Sequence, residues 1–329
     1  MSIDTAVVTT DPRAIGAGLA RKRPAGSDLP YRILIGAFAL IVAAVMALYF
    51  YSIIAGSIPG WQAAGWHFFF GSDWNFSLHK YGALPLIAGT ALTTALALLL
   101  AVPVSIGAAI AIVFLIPRRA RLAVSSVVEL LAFVPSIVFG IWGFYVIQPW
   151  LQNTVQPWLT NSLFHHNWPF NSDPTGRGLM LGSMVLAVMI TPTITAISRD
   201  VLAAVPDELI EGGLSIGATR GQVLQHVALP SARTGILGAI TLGTARALGE
   251  TIALFLLLGG LDPAHPFPRG LNSGLATLST EIVANFGELS GKVPGGILYC
   301  LALTLMVIVG LTNLTARLVV RRSLQRLQP

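Results

Sequence analysis

The chain has 329 residues, 54% of them hydrophobic and only 10% charged, with a mean hydropathy of +0.74 and a net charge of +6. A soluble globular chain carries roughly 25% charged residues, so this composition excludes an ordinary water-soluble domain and points to a membrane protein. The single cysteine, Cys300, excludes an internal disulfide and reads as a small apolar packing residue.

Residues 1–30 are polar and rich in Gly, Pro and charge, and they read as a disordered tail. A helix needs roughly 20 apolar residues to cross the hydrocarbon core. Six stretches meet that requirement: 33–54, 84–114, 122–147, 178–197, 236–257 and 295–315. The first runs longer than a signal-peptide core and lacks a small-residue cleavage site, so it reads as an uncleaved anchor. The predicted fold is an all-α polytopic membrane protein with six transmembrane helices over residues 31–316 and a basic tail at 317–329. Fifteen of the twenty Lys and Arg residues fall in four clusters, at 13–32, 118–121, 199–233 and 317–326. Six spans return the chain to its starting side, and basic short loops mark the cytoplasm. Both termini and the 199–231 loop are therefore predicted to be cytoplasmic. Basic clusters beside spans serve topology and contact anionic lipid of the bilayer, so the positive charge requires no nucleic acid.

On the other side, loop 57–81 holds Trp61, Trp66 and Trp74, and loop 148–177 holds Trp150, Trp158 and Trp168. Tryptophan favours the membrane–water boundary, so both loops read as lying on the outer face, with docking of a partner as the competing use. A third outer loop, 262–292, opens with Pro263, Pro266 and Pro268 and predicts a short helix over 275–286. Pro103, Pro135 and Pro192 interrupt spans. Proline removes a backbone donor, which membranes tolerate only where protein or a watery cavity satisfies the freed groups. Pro135, Ser136 and Pro192 are accordingly predicted to line an internal path. Glu129, about one turn into the third span, reads as near the headgroups or paired with a neighbouring helix.

The 199–231 loop is too patterned to be a plain connector. Pro206, Asp207 and Glu208 suit a helix start, Gly217 suits its end, and Thr219 with Gln222 three residues on is a capping-box signal for a second helix. Pro230 is predicted to stop that second helix. Ile210, Leu214, Ile216, Val223, Leu224 and Val227 supply an apolar side for docking into a groove of a cytoplasmic partner. A DNA-binding helix-turn-helix is disfavoured by the membrane tether at both ends and the scarcity of basic residues. Glu211, Gly217, Val227, Leu229 and Pro230 stand at the spacing of the cytoplasmic signature of ABC importer permeases, which this loop resembles. Gly212 and Gly213 replace the two alanines usual there. Each glycine costs a helix about 1 kcal/mol relative to alanine, which predicts an elbow that is soft alone and leans on its partner. The resemblance implies that the loop is the coupling helix that inserts into the ATPase subunit.

Arg246 and Glu250 lie near the middle of the fifth span, followed by Thr251. Their i, i+4 spacing predicts one shared helical face. A charge at that depth costs about 2.5–3.5 kcal/mol on insertion scales and is usually paired or functional. One reading is a structural ion pair. The other is an anion passage, with the Arg fork taking an oxyanion and Glu250 accepting a hydrogen bond from one that still carries a proton. Phosphate keeps a proton near neutral pH and sulfate does not, so the pair would favour phosphate.

The runs 81–90, 135–143, 192–202 and 246–251, together with the order of spans, are similar to the PstC-type permease subunit of bacterial phosphate importers. The resemblance implies a type I ABC importer permease fold in the bacterial inner membrane. It also implies a PstA-like permease as heterodimer partner, two copies of a cytoplasmic ATPase and an extracytoplasmic phosphate-binding protein. The chain has no Gly-x-x-x-x-Gly-Lys-Ser/Thr loop, so it is read as a non-catalytic subunit without a bound cofactor, ATP–Mg belonging to the partner ATPase. No histidine pair has metal-site spacing. A sulfate- or molybdate-type permease and an ATP-independent anion carrier are the alternatives.

Overall fold

The computed structural model describes residues 29–163, 167–170, 175–262 and 264–325. Most of the predicted N-terminal tail, His165-His166 and Pro263 lie outside the described residues. Two units are distinguished, one ending at Ser52 and the other running from Ile53. The described part of the first is the beginning of helix α1 (Leu29–Ala64), an apolar helix that contains the predicted first span. Its side chains, Leu34, Phe38 and Ile41 among them, are exposed, as a helix bathed in lipid or covered by another protein requires.

Among the described residues the second unit's regular elements are helices and one small antiparallel pair, β1 (Trp74–Asn75) and β2 (Lys80–Tyr81), with Trp74 opposite Tyr81. Short helix α2 (His67–Phe70) precedes it. Helix α3 (Leu84–Ile110) runs on through a π-helical turn to Leu115, with Pro103 inside it. Helix α6 (Leu179–Ala203) carries Pro192 inside it, and α12 (Lys292–Gln325) carries the predicted last span and continues past its predicted end. Leu84–Leu115, Leu179–Ala203 and Lys292–Leu318 are each long and apolar enough to cross a membrane.

Two predicted spans depart from a single straight helix. The third is broken between α4 (Arg118–Ala132) and α5 (Ser136–Trp142), and the helical path turns by 89° there. The cause is local: Pro135 leaves the helical region at φ −57°, ψ 136°, and it has no amide to carry the helical ladder across the break. After the bend the chain stays helical, with wide π turns, as far as Ser162. Much of the predicted outer loop 148–177 is therefore helix, although Trp150, Trp158 and Trp168 remain exposed as boundary anchors would be. Trp74 departs from that reading, since it is buried and its Nε1 donates to Glu281 Oε1 at 2.8 Å. The fifth predicted span is also broken, between α9 (Leu229–Leu248) and α10 (Ile252–Leu257). Helix α11 (Leu278–Ala284) fills the centre of the predicted 275–286 helix and starts at a capping box formed by Thr277 and Thr280.

Packing follows the apolar faces. Ala97, Leu186, Ile190, Ile194, Ala239, Ala247 and Leu254 join α3, α6, α9 and α10 in one buried cluster. A second cluster, with Ala109, Leu202, Val205, Ala232 and Ile236, ties the far ends of α3 and α6 to the start of α9. A third, around Phe68, Trp74, Tyr81, Leu278 and Ile297, closes the opposite end. Cys300 belongs to it, and its thiol donates to the Ser57 carbonyl at 3.3 Å.

The end of α1 meets the start of α12 through glycine. A Cβ on Gly60 would stand 2.4 Å from the carbonyl carbon of Gly296, so the two backbones touch. Overpacking of this kind costs about 1–3 kcal/mol. Gly60→Val should lower the thermal midpoint of the detergent-purified protein, whereas Gly36→Val, where a Cβ meets nothing within 4 Å, should not.

Candidate functional site

Breaking a helix frees carbonyls at one end and amides at the other. The two breaks do so close to the two central charges. Arg246, half-buried on α9, donates through Nη1 to the Ala132 carbonyl at 3.3 Å and to Thr193 Oγ1 at 3.0 Å. Ala132 is the last residue of α4, so the guanidinium sits at a helix C-terminus, where the dipole favours a cation. Thr193 follows Pro192 on α6. Arg246 thus ties the α4 terminus, three residues before Pro135, to α6 beside Pro192. Pro192 also lines an apolar cleft of about 420 Å³ with Leu131, Phe139 and Val188.

Glu250 does the converse. It is 9% exposed, and its Oε1 accepts from the Ala253 amide at 3.3 Å, so the carboxylate caps the start of α10. Its own carbonyl accepts from Ser279 Oγ at 2.7 Å, and its amide donates to the Ala247 carbonyl at 3.3 Å. Thr251 takes φ −125°, ψ −63° and donates to the Gly249 carbonyl. Arg246 and Glu250 therefore do not share a face or form an ion pair, because the helix that would have aligned them ends at Leu248. Helix α5 packs on α10 at Gly140, where a Cβ would stand 2.9 Å from the Ala253 Cα.

The magnitudes favour this arrangement. Hydrogen bonds to a charged group are worth about 1.5–3 kcal/mol each, enough for the two at Arg246 to offset an insertion cost of about 2.5–3.5 kcal/mol. The sequence contained no signal for Ala132 or Ser279, since both contacts come from elements distant in the chain. Glu129 pairs across helices, its Oε1 accepting from Arg199 Nη2 at 2.9 Å.

The 199–231 loop forms an elbow. Helix α7 (Asp207–Ser215) follows Pro206 and carries Asp207 and Glu208 in its first turn, as predicted from the sequence. At its end the Gly217 amide donates to the Leu214 carbonyl at 3.0 Å and the Ala218 amide to the Gly213 carbonyl at 3.3 Å. This paired ending needs a left-handed residue, and Gly217 supplies it with φ +88°. The Thr219–Gln222 capping box is formed in both directions and starts α8 (Arg220–Val223). Pro230 does not stop the second helix, contrary to the sequence expectation. A π turn over Leu224–Ala228 leads directly into α9, and Pro230 lies in the first turn of α9, where a missing amide breaks nothing.

Val223 is buried against α7, with Gly213 shaped to receive it: a Cβ there would stand 3.0 Å from Val223 Cγ2. Gly212 meets nothing within 4 Å. Glu211 is exposed, Leu229 half-buried, and Leu209, Leu214 and Ile216 are exposed, Ile216 to 87%. A cleft of about 420 Å³ runs beside them, lined by Gly213, Gly217, Gln222, Val223 and His226. The elbow thus spends Val223 on its own packing and presents Leu214 and Ile216 outward.

Arg246→Leu should lower the detergent thermal midpoint by the equivalent of about 1–3 kcal/mol, through the unpaired Ala132 carbonyl. Arg246→Lys, which keeps charge and donor, should lose less. Equal midpoints for Arg246→Leu and the parent would contradict the helix-end account.

Residues 101–325 match the family model for the binding-protein-dependent transport system inner membrane component. The chain is 39% identical over 305 residues to the phosphate transport system permease protein PstC of Mesorhizobium japonicum, with 92% of each chain covered. It is 36% identical to the PstC of Pasteurella multocida, over 87% of this chain and 89% of that one. Among solved structures, a bacterial ABC transporter involved in the import of the acidic polysaccharide alginate matches with a TM-score of 0.56 at 17% identity, over 90% of this chain and 97% of that chain; that likeness concerns the fold. Family match, relatives and apolar helices agree, and the chain belongs to the binding-protein-dependent transport system inner membrane components, multi-pass proteins of the inner membrane.

Proposed function

We propose that the chain is the PstC-type permease subunit of an ATP-driven phosphate importer. The relatives named PstC carry the substrate assignment, and the family carries the dependence on a binding protein. The subunit hydrolyses nothing itself; ATP–Mg is bound by a cytoplasmic ATPase, present in two copies. A PstA-like permease completes the translocation path, and an extracytoplasmic phosphate-binding protein delivers the anion. Counting each broken helix as one crossing gives six spans, with both termini cytoplasmic on the positive-inside rule.

The observation that carries the mechanism is the pair of helix breaks beside Arg246 and Glu250. Two half-helices that end at a charge can shift at small cost, since each charge exchanges one set of partners for another. In this proposal Arg246, Glu250 and Thr251 border the anion route, and Pro135, Ser136 and Pro192 keep its wall irregular. In the resting arrangement Arg246 is held by the α4 terminus and Thr193; a passing oxyanion replaces those acceptors. Nucleotide-driven closure of the ATPases pushes the elbow. Glu211, Gly212, Gly213, Gly217, Leu229 and Pro230 shape it, and Ile216 and Leu214 seat in the ATPase groove. The elbow continues through the Leu224–Ala228 turn into α9, so its movement reaches Arg246 along one helix of 20 residues.

In vesicles reconstituted with all partner subunits, Arg246→Gln should cut ATP-dependent phosphate uptake about tenfold or more, the scale of one lost charge-assisted contact. Unchanged uptake would remove Arg246 from the route. Gly217→Val, strained at φ +88°, should reduce the stimulation of ATP hydrolysis by phosphate-loaded binding protein. Gly212→Ala, in open space, should stabilise α7 by up to about 1 kcal/mol and leave that stimulation intact.

A further inference from the structure

At the end of α6 opposite the elbow, Arg177 lines a cleft of about 450 Å³ together with Gly259, Gly260, Thr280 and Glu281. The 25 residues of α6 separate this cleft from the elbow, a helix length of about 37 Å, so the cleft lies at the outer end in the proposed topology. The Arg177 guanidinium stands 4.7 Å over the Phe144 ring. It has no hydrogen bond or ion pair with any described residue. Its planar fork is therefore held in place by a ring face while its donors stay free, unlike those of Arg246. Glu281 lines the same cleft and takes other partners than Arg177. Its Oε1 accepts from Trp74 Nε1 and from Asn285 Nδ2, both at 2.8 Å. Those two donors fix the carboxylate and leave Oε2 open. A Cβ on Gly260 would meet nothing within 4 Å, so the cleft is open on that side.

A free fork of donors and a fixed carboxylate that line one cleft without pairing suit a ligand that both accepts and donates. Tetrahedral oxyanions differ in this respect. A protonated phosphate offers charged oxygens to a guanidinium and a hydroxyl hydrogen to a carboxylate. A fully ionised sulfate has no hydrogen to donate and is repelled by Glu281. We propose that this cleft is a receiving site for a protonated tetrahedral oxyanion at the outer end of the permease, with Arg177 holding the charge and Glu281 accepting from the hydroxyl. The inference rests on the phosphate-import reading, and it puts selection for the protonated anion ahead of the Arg246 break.

The test is uptake of labelled inorganic phosphate by the complete transporter with its binding protein, in vesicles of neutral phosphatidylcholine and in vesicles containing anionic phosphatidylglycerol. Arg177→Gln should reduce uptake at limiting phosphate about tenfold in both vesicle types, one charge-assisted contact's worth. The loss should shrink as phosphate is raised to saturation at a fixed amount of binding protein, and Arg177→Lys should retain part of the activity. Glu281→Gln, a weaker acceptor for the hydroxyl, should reduce uptake at limiting phosphate less than Arg177→Gln does and make it more sensitive to competing sulfate. A parent chain that takes up no phosphate would overturn the import reading itself. A parent that transports, with Arg177→Gln indistinguishable from it, would overturn only the receiving site. A defect confined to anionic vesicles would assign Arg177 to a lipid headgroup. A defect cured by more binding protein at constant limiting phosphate would assign it to protein docking. A lowered thermal midpoint with a reduced maximal rate and no change in half-saturating phosphate would reduce Arg177 to a strut over Phe144. Each of these three results contradicts the proposal.

Discussion

Two ionisable side chains within an apolar bundle need partners, and here the partners are the ends of broken helices. Arg246 takes the exposed carbonyl end of α4 together with Thr193. Glu250 takes the exposed amide end of α10. Each break leaves backbone groups that hydrocarbon cannot satisfy, and each charge would be costly without them. Breaks and charges stabilise one another, so removing either member of a pair strands the other.

This reciprocity differs from a direct Arg–Glu ion pair in what it permits. A buried ion pair is strongly destabilised when one partner moves away. A cation on a helix C-terminus and a threonine hydroxyl interacts with partial charges, and an oxyanion is a better partner than either. In the proposed mechanism that difference would let Arg246 pass to an anion and return afterwards. The elbow holds its own shape through Val223, the Gly217 ending and the Thr219 cap, and it leaves Ile216 and Leu214 exposed, where the proposed mechanism would seat the ATPase. Its second helix feeds into α9 without interruption, so force applied at the elbow is transmitted along the helix that carries Arg246.

Much of this was legible in the sequence because it depends on short-range chemistry. Hydropathy located the long apolar helices, and the spacing of Pro206, Gly217, Thr219 and Gln222 located the elbow with its caps. Pro135 marked a disruption, though hydropathy alone could not turn it into an 89° bend. What stayed hidden depends on contacts between distant segments. The i, i+4 spacing of Arg246 and Glu250 assumed a continuous helix, and the carbonyl left at the 249–251 break is taken by Ser279 of α11, 29 residues further along. Trp74 looked like a boundary anchor by residue type and proved to be buried, its indole N–H satisfied by Glu281, 207 residues further along. Pro230 looked like a stop because the preceding π turn leaves no trace in composition.

The most direct test of the central claim is solvent access at the α9–α10 break. Cys300 is the only cysteine and is buried, so a Cys300→Ala background gives a quiet baseline for Thr251→Cys. In the assembled transporter, a membrane-impermeant thiol reagent should modify that cysteine, and turnover with phosphate and ATP should change the rate of modification. A cysteine at this position that is never modified from either side, or that reacts at one unvarying rate whether or not phosphate is being moved, would contradict the account.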